Sequence, residues 1–437
     1  MEQLSGHDAT FLAMETGNAS GHSGAVALLS GRALTRNEVA SEIAARLPAV
    51  LCRRLVTVPL GLDLPYWGAA VPDLDHHVRE VTLAPGAGLP ELAAVVADRH
   101  ARRLDRSRPL WEVHLVHGVG DGQALYLKIH HAMVDGVGGN ELLLALFGPQ
   151  VARATPPLIV APSGRHLLAR SALNAPRRTG RTVRTMAGVV RRLPAVRSQV
   201  LRRAPATPMD GPLGPDRRLA LVPLEMSDIR KVRAALGLSV NDVAVAVTAG
   251  ALRLWLGEAG ELPVEPLLAS IPVSVRDSEA SGANAFTLMV APLPTNVADP
   301  LERARAASAH IAAAREAQGS LPATTVSDLS ALAVPLVAGP GLGLADRLGL
   351  VSKLRPFNLM LSTVPGPRVP LTCAGVPFTA YYPISQVSEG QRLNVTMFGY
   401  GERLHAGLLA DADLTLDVTR LGALMQAELM TLVEGTA

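Results

Sequence analysis

Trp111-Glu112-Val113-His114-Leu115-Val116-His117, the turn-rich Gly118-Val119-Gly120-Asp121-Gly122, and Ala124-Leu125-Tyr126-Leu127-Lys128-Ile129-His130 together decide how this chain folds. Two runs rich in β-branched and aromatic residues, split by glycines, predict a hairpin. Side chains alternate across a strand, so Leu125, Leu127, Ile129 and His131 fall on one face and Tyr126, Lys128 and His130 on the other. His131 thus closes an apolar stripe where the strand stops. Its sequel is Ala132-Met133-Val134-Asp135-Gly136, followed by a helix candidate from Asn140 to Phe147. An imidazole has an unperturbed pKa near ~6.5, so its neutral, basic form dominates at physiological pH and suits proton transfer. Asp135, four residues on, either orients the imidazole or holds the loop by pairing with an arginine. Gly136, Gly138 and Gly139 give the backbone freedom for a sharp turn.

Around this hairpin the chain reads as α/β. Before it, helical periodicity spans Arg36–Leu51 and Leu89–Leu104. Beyond residues 148–215, which are rich in Pro and Arg, the order resumes with a strand at Leu219–Leu224 and a helix at Ser227–Leu236. An apolar helix at Val240–Leu256 opens on Ser239 as N-cap. A strand at Leu267–Val275 and a helix at Pro300–Ala317 follow. Late strands at Asn358–Ser362, Leu393–Tyr400 and Arg403–Leu409 precede a closing helix. At 437 residues the chain exceeds one core, and two domains of roughly 200 residues are expected. The reading assigns 1–150 to a first half, 151–215 to a connector and 216–437 to a second half. With 48% hydrophobic and 18% charged residues, burying a large core poses no difficulty.

Several chemistries lose their usual signals. No G-x-S-x-G nucleophile elbow and no G-x-x-x-x-G-K-[ST] phosphate loop occurs. His130, His131 and Asp135 are all metal-ligand types, but consecutive strand histidines face opposite ways and no second cluster completes a shell. The two cysteines, Cys52 and Cys373, show no metal or stapling spacing, which favours a reducing compartment. The N-terminus has no signal-peptide pattern. No stretch reaches the roughly 18 apolar residues of a spanning helix; Leu332–Ala345 is broken by Pro335, Gly339, Pro340, Gly341 and Gly343. The body is expected to be cytoplasmic.

In company, these motifs carry a resemblance. The stretches are Leu4-Ser5-Gly6-His7-Asp8-Ala9-Thr10-Phe11-Leu12, Pro109-Leu110-Trp111, His130 to Gly136, Ser239-Val240-Asn241-Asp242-Val243, Ile271-Pro272-Val273-Ser274-Val275-Arg276 and Leu361-Ser362-Thr363-Val364-Pro365-Gly366-Pro367. In this order, nearly end to end, the chain resembles the bacterial wax ester synthase/diacylglycerol acyltransferases of the coenzyme A-dependent acyltransferase superfamily. Thr363 departs from the Asn usual before Val-Pro-Gly-Pro, and the Asp-Phe-Gly-Trp-Gly motif of the plant-type branch is absent. The resemblance implies two related α/β halves facing across a tunnel, with His131 midway as general base and no acyl-enzyme. It implies acyl-coenzyme A as co-substrate, no permanently bound cofactor and no metal. The acceptor would be diacylglycerol or a long-chain alcohol, with diacylglycerol favoured by likeness to actinobacterial-type members. It also supports a salt bridge between Asp135 and Arg276.

Other residues keep two readings. Asn241 and Asp242 either cap a helix or line the site. Ser362 either serves the oxyanion or satisfies a strand end. Pro109, Leu110 and Trp111 pack under the tunnel or touch substrate. A non-catalytic lipid-binding member of the fold, or an enzyme fed by a carrier-protein thioester, are the alternative functions.

The connector adds one more signal. From Ser163 to Pro205 there is no Asp or Glu, while arginines run from Arg165 to Arg203, with Val183, Met186, Val190 and Leu193 at helical spacing between them. The readings are a solvated linker or a surface helix from Arg177 to Arg203 on anionic lipid, peripheral to the inner membrane or lipid inclusions. No aromatic is interleaved with the charges, which speaks against nucleic acid.

Overall fold

The computed structural model describes residues 2–4, 6–15, 17–133, 138–149, 164–174, 203–274, 286–319 and 355–436. The first half contains strands β1 (Glu2–Gln3), β2 (His22–Leu29), β3 (Arg53–Val56), β4 (Tyr66–Ala69), β5 (Val78–Thr82), β6 (Trp111–Val119) and β7 (Gly122–His130). Its helices are α1 (Gly6–Ala13), α2 (Arg36–Arg46), α3 (Leu74–His77), α4 (Leu89–Ala101) and α5 (Gly139–Phe147). Helix α6 covers residues 164–174 of the connector. The second half carries β8 (Arg217–Glu225), β9 (Leu267–Ser274), β10 (Phe286–Leu293), β11 (Leu359–Val364), β12 (Thr372–Cys373), β13 (Val376–Ile384), β14 (Leu393–Tyr400) and β15 (Arg403–Asp411). With it go α7 (Met226–Leu236), α8 (Val240–Glu258), α9 (Pro300–Gly319) and α10 (Val418–Gly435).

Two helices stop short of their expected ends, and the local chemistry says why. α2 ends at Arg46 because Leu47 precedes Pro48 and takes a non-helical backbone (φ −59°, ψ 112°). α4 ends at Ala101, where the buried Lys128 ammonium donates to the Arg99 and Arg102 carbonyls and takes up free helix-end acceptors.

Two six-stranded mixed sheets dominate. The first runs β12-β13-β2-β7-β6-β5 and the second β10-β9-β11-β14-β15-β8; a small third sheet is β1-β4-β3. The hairpin forms as the sequence predicts, β6 pairing antiparallel with β7 across Gly120-Asp121. Gly120 (φ +56°) and the bulged Gly118 (φ +78°) supply its left-handed backbone. The division into 1–150 and 216–437 omitted one exchange. β12 and β13 belong to the second half in sequence, yet β13 pairs antiparallel with β2 in the first sheet. The two sheets meet closely there: a Cβ on Gly407 of β15 would lie 1.8 Å from the Pro383 carbonyl oxygen of β13.

The second half is built on α8. Ser239 and Asp242 form a reciprocal capping box, Ser239 Oγ accepting the Asp242 N–H at 3.1 Å and Asp242 accepting the Ser239 N–H at 3.0 Å. From Val243 to Leu252 the helix is buried on every side, against α9, α10 and the second sheet. No single described helix is long and apolar enough to cross a membrane.

Candidate active site

β7 delivers its last residues into a fixed turn. The His130 N–H donates to the Leu110 carbonyl at 2.9 Å, and the His131 N–H to the Gly21 carbonyl at 2.8 Å. The Ala132 N–H then donates to His130 Nδ1 at 3.1 Å. Three consecutive amides are thus held by three different parts of the first half. His131 itself begins a 3-10 turn, His131–Met133, and is half-buried. Its ring stacks on Phe11 of α1, centroids 4.0 Å apart and planes 15° from parallel. Such a contact is worth roughly 0.5–1.5 kcal/mol and sets the plane of the imidazole.

The face opposite His131 differs from a simple stripe-and-back reading. Tyr126, Lys128 and His130 are each at most 1% exposed, more completely buried than Leu127 and Ile129 on the apolar side. They sit among buried polar partners rather than solvent. His22 Nε2 donates to the His100 carbonyl at 2.5 Å, and His100 Nδ1 meets the Tyr126 hydroxyl at 2.8 Å. Burial, with the nearby positive groups, holds both His22 and His100 well below the usual histidine range. Burial also pulls the Lys128 ammonium down to about 8, against the pull of Glu112 and Glu15.

Sequence reasoning passed over Glu15. Its carboxylate is 3% exposed and accepts the Gly21 N–H at 2.9 Å and two Arg106 donors at 2.5 and 3.2 Å. His130 Nε2 lies 3.4 Å away. Gly21 has to be glycine, since a Cβ there would sit 2.7 Å from both His130 Nε2 and the Phe11 carbonyl. The short Ser20-Gly21-His22 run before a strand was the available signal.

Other expected site residues fall as follows. Pro109, Leu110 and Trp111 are buried in the first core. Trp111 Nε1 donates to the Leu51 carbonyl at 2.9 Å, and its ring stacks on His77 at 4.3 Å. Asp242 caps α8, while Asn241 lines a cleft of about 780 Å³ with Thr363, Val364, Pro365, Gly366 and Tyr400, a lining that does not include His131. Gly366 permits the Val-Pro-Gly-Pro loop to lie on β14, where a Cβ would meet the Gly399 carbonyl at 1.7 Å. Asn140, at the start of α5, ties this loop to the first half by donating to the Pro365 carbonyl at 2.7 Å. Ser362 is half-buried on β11, in register with Thr396 of β14. Next to it, Thr363 Oγ1 is buried without a hydrogen-bond partner among the described residues. Asp135, Gly136 and Arg276 lie outside the described residues, as does most of the stretch from Arg177 to Arg203. Among the described residues no three His, Cys, Asp or Glu side chains gather as a metal site would require.

Both halves match known protein families in sequence. A model of the wax ester synthase/diacylglycerol acyltransferase catalytic domain matches residues 4–244, and one of the WS/DGAT C-terminal domain matches residues 282–432. The chain belongs to this family, and it is an acyltransferase. Among its relatives, a Mycobacterium tuberculosis protein classed as a diacylglycerol O-acyltransferase is 32% identical over 96% of this chain and 87% of its own. An O-acyltransferase WSD of Acinetobacter baylyi is 32% identical over 77% of this chain and 76% of its own. The wax ester synthase/diacylglycerol acyltransferase of Marinobacter aquaeolei has the same fold, with a TM-score of 0.75, 26% identity and full coverage of both chains.

Proposed function

We propose that this chain transfers a long-chain acyl group from acyl-coenzyme A to the hydroxyl of diacylglycerol or of a long-chain alcohol, with His131 as general base. The observation that carries this reading is the hold on His131: both neighbouring amides and its own are pinned, and its ring plane is set by Phe11. A base held this way needs no reorganisation as the proton moves. The acceptor oxygen loses its proton to the imidazole as it attacks the thioester carbonyl. The tetrahedral intermediate collapses, the carbon–sulfur bond breaks, and the imidazolium returns the proton to the departing thiolate. General-base catalysis of this kind is worth ~10²–10⁴ in rate. Orientation and oxyanion stabilisation supply the rest.

Either Ser362 or Thr363 is the candidate oxyanion donor, since the two leave β11 on opposite faces, and the unpartnered buried hydroxyl of Thr363 supports the second. On sequence grounds alone, Asp135 is proposed to pair with Arg276 and Gly136 to free the backbone after His131. The reaction uses no metal and no resident cofactor, so dialysis against a strong chelator should leave full activity. The enzyme works peripherally on the inner membrane or on lipid inclusions, attached through the acid-free, arginine-rich stretch from Ser163 to Pro205. In support, Leu173 on α6 is 79% exposed beside this run of arginines.

The test is release of free thiol from palmitoyl-coenzyme A with diacylglycerol and hexadecanol supplied in turn. Acceptor-dependent release supports the reading, and the ratio of the two rates ranks the acceptors. No release with either acceptor would overturn it.

A further inference from the structure

The carboxylate of Glu15 reaches the backbone around His131 by two separate routes. On one side it accepts the Gly21 N–H at 2.9 Å, and the Gly21 carbonyl in turn accepts the His131 N–H at 2.8 Å. On the other side it faces His130 Nε2 at 3.4 Å, and His130 Nδ1 accepts the Ala132 N–H at 3.1 Å. We propose that Glu15 is a positioning residue for His131, setting the peptide groups before and after it through Gly21 and His130.

The Gly21 N–H requires an acceptor at this place, and the Arg106 guanidinium, alongside the His130 ring, favours a charged one. Because His130 Nδ1 is an acceptor, the neutral ring carries its proton on Nε2, which lies 3.4 Å from a Glu15 oxygen and has no hydrogen-bond partner among the described residues. At 3.4 Å this is a charge–dipole contact more than a directed hydrogen bond. It fixes the tautomer that leaves Nδ1 free to hold Ala132. An apolar residue at 15 would strand the buried Gly21 donor and release the ring. Burial opposes ionisation of Glu15, but His130, the Gly21 N–H and Arg106 outweigh it and bring the carboxyl down to about 2. The group is therefore charged across the whole working range. Gly21 completes the device, since only a residue without Cβ lets the His130 ring and the Phe11 carbonyl approach this closely.

This inference rests on the reading of His131 as the base, and its test separates the two. In the full-length protein, Glu15→Gln keeps an acceptor for Gly21 but loses the charge facing His130 and Arg106. A displaced base predicts that kcat falls roughly 10- to 100-fold. Both KM values should stay within about twofold, with an unchanged circular dichroism spectrum. A second pair of variants follows the other route. His130→Asn puts an amide oxygen where Nδ1 now accepts from Ala132, whereas His130→Leu removes that acceptor. The Asn variant should keep clearly higher kcat than the Leu variant at matched Tm. Wild-type kcat in folded Glu15→Gln, a loss confined to KM, or equal kcat in the two His130 variants would each overturn the proposal. Should Glu15→Gln fail to fold, the His130 pair decides alone. His131→Ala is the control: wild-type turnover there brings down the general-base reading itself, whereas a dead His131→Ala beside a normal Glu15→Gln removes only the positioning role.

Discussion

The two halves of this enzyme solve the problem of a rigid interior by different means. Around α8 the second half is a dry aliphatic pack, with its buried charge confined to pairs such as Arg303–Glu428 at 2.5 Å and Arg217–Asp411 at 3.3 Å. Behind β7 the first half instead buries three neighbouring groups of polar contacts: His22 with His100 and Tyr126, Lys128 on the end of α4, and His130 beside the Glu15 carboxylate. Aliphatic packing fixes shape but tolerates small shifts of a side chain. Hydrogen bonds fix direction, and each buried donor left unmade costs about 1–3 kcal/mol. The half that carries the candidate base uses the directional kind.

If that contrast is right, damage in the second half should cost stability and damage behind β7 should cost turnover. The largest effect is expected from Gly250→Val. A Cβ at 250 would lie 2.2 Å from the Glu428 carboxyl carbon and drive it off Arg303. Separating a buried pair typically costs ~3–5 kcal/mol. Denaturant unfolding should show that loss, while the folded fraction retains near-normal kcat. A variant of normal stability would break the comparison on this side.

Gly21→Ala is the counterpart in the first half. Its methyl pushes against His130 Nε2 and the Phe11 carbonyl, so kcat should drop roughly 10- to 100-fold with a smaller change in Tm. Loss of Tm without loss of specific activity would place this glycine with ordinary packing.

Lys128 sharpens the comparison through pH. Burial pulls its folded-state value down to about 8 from an ordinary 10.5. Between those values the unfolded chain holds more protons than the folded one, so this lysine makes stability rise with pH through that window. Below about 8 both states are charged and its contribution is flat. The gain should be of order 1–3 kcal/mol, and Lys128→Met should abolish it. Melting curves of both proteins from pH 7 to about 10 measure the difference, and parallel curves would contradict the account.

The smallest effect on catalysis should come from replacing Arg178, Arg184, Arg191 and Arg192 together with Gln. Each basic residue near an anionic surface contributes ~1 kcal/mol to attachment. Vesicle co-sedimentation should weaken, as added salt should weaken it for the native protein. Turnover on a detergent-dispersed acceptor should hold. Equal vesicle binding by both proteins at both salts would make the stretch an ordinary linker.

Much of this architecture could be read from the chain, because the β6–β7 hairpin and α8 follow local rules of alternation, glycine punctuation and capping. β2 and β13 escaped for opposite reasons. β2 opens on His22-Ser23-Gly24, which reads as a loop, and β13 contains Pro377 and Pro383, which argue against a strand. β13 forms only because β2, far away in sequence, offers it an edge. Glu15 was illegible for a similar reason. The Ser20-Gly21-His22 run beside it is a weak local signal, and its partner Arg106 lies 91 residues on. Alternation set Tyr126 and Lys128 of β7 opposite the apolar stripe but could not show what satisfies them, because the end of α4 and His100 come from elsewhere in the fold.

The central claim is that His131, and not the neighbouring His130, moves the proton. Thiol release from palmitoyl-coenzyme A by His131→Ala and His130→Ala, compared at matched Tm, tests it most directly. The account predicts a loss of ~10²-fold or more for His131→Ala in a folded protein, and a milder loss for His130→Ala, which only helps hold the turn. An active His131→Ala beside a dead His130→Ala would contradict it.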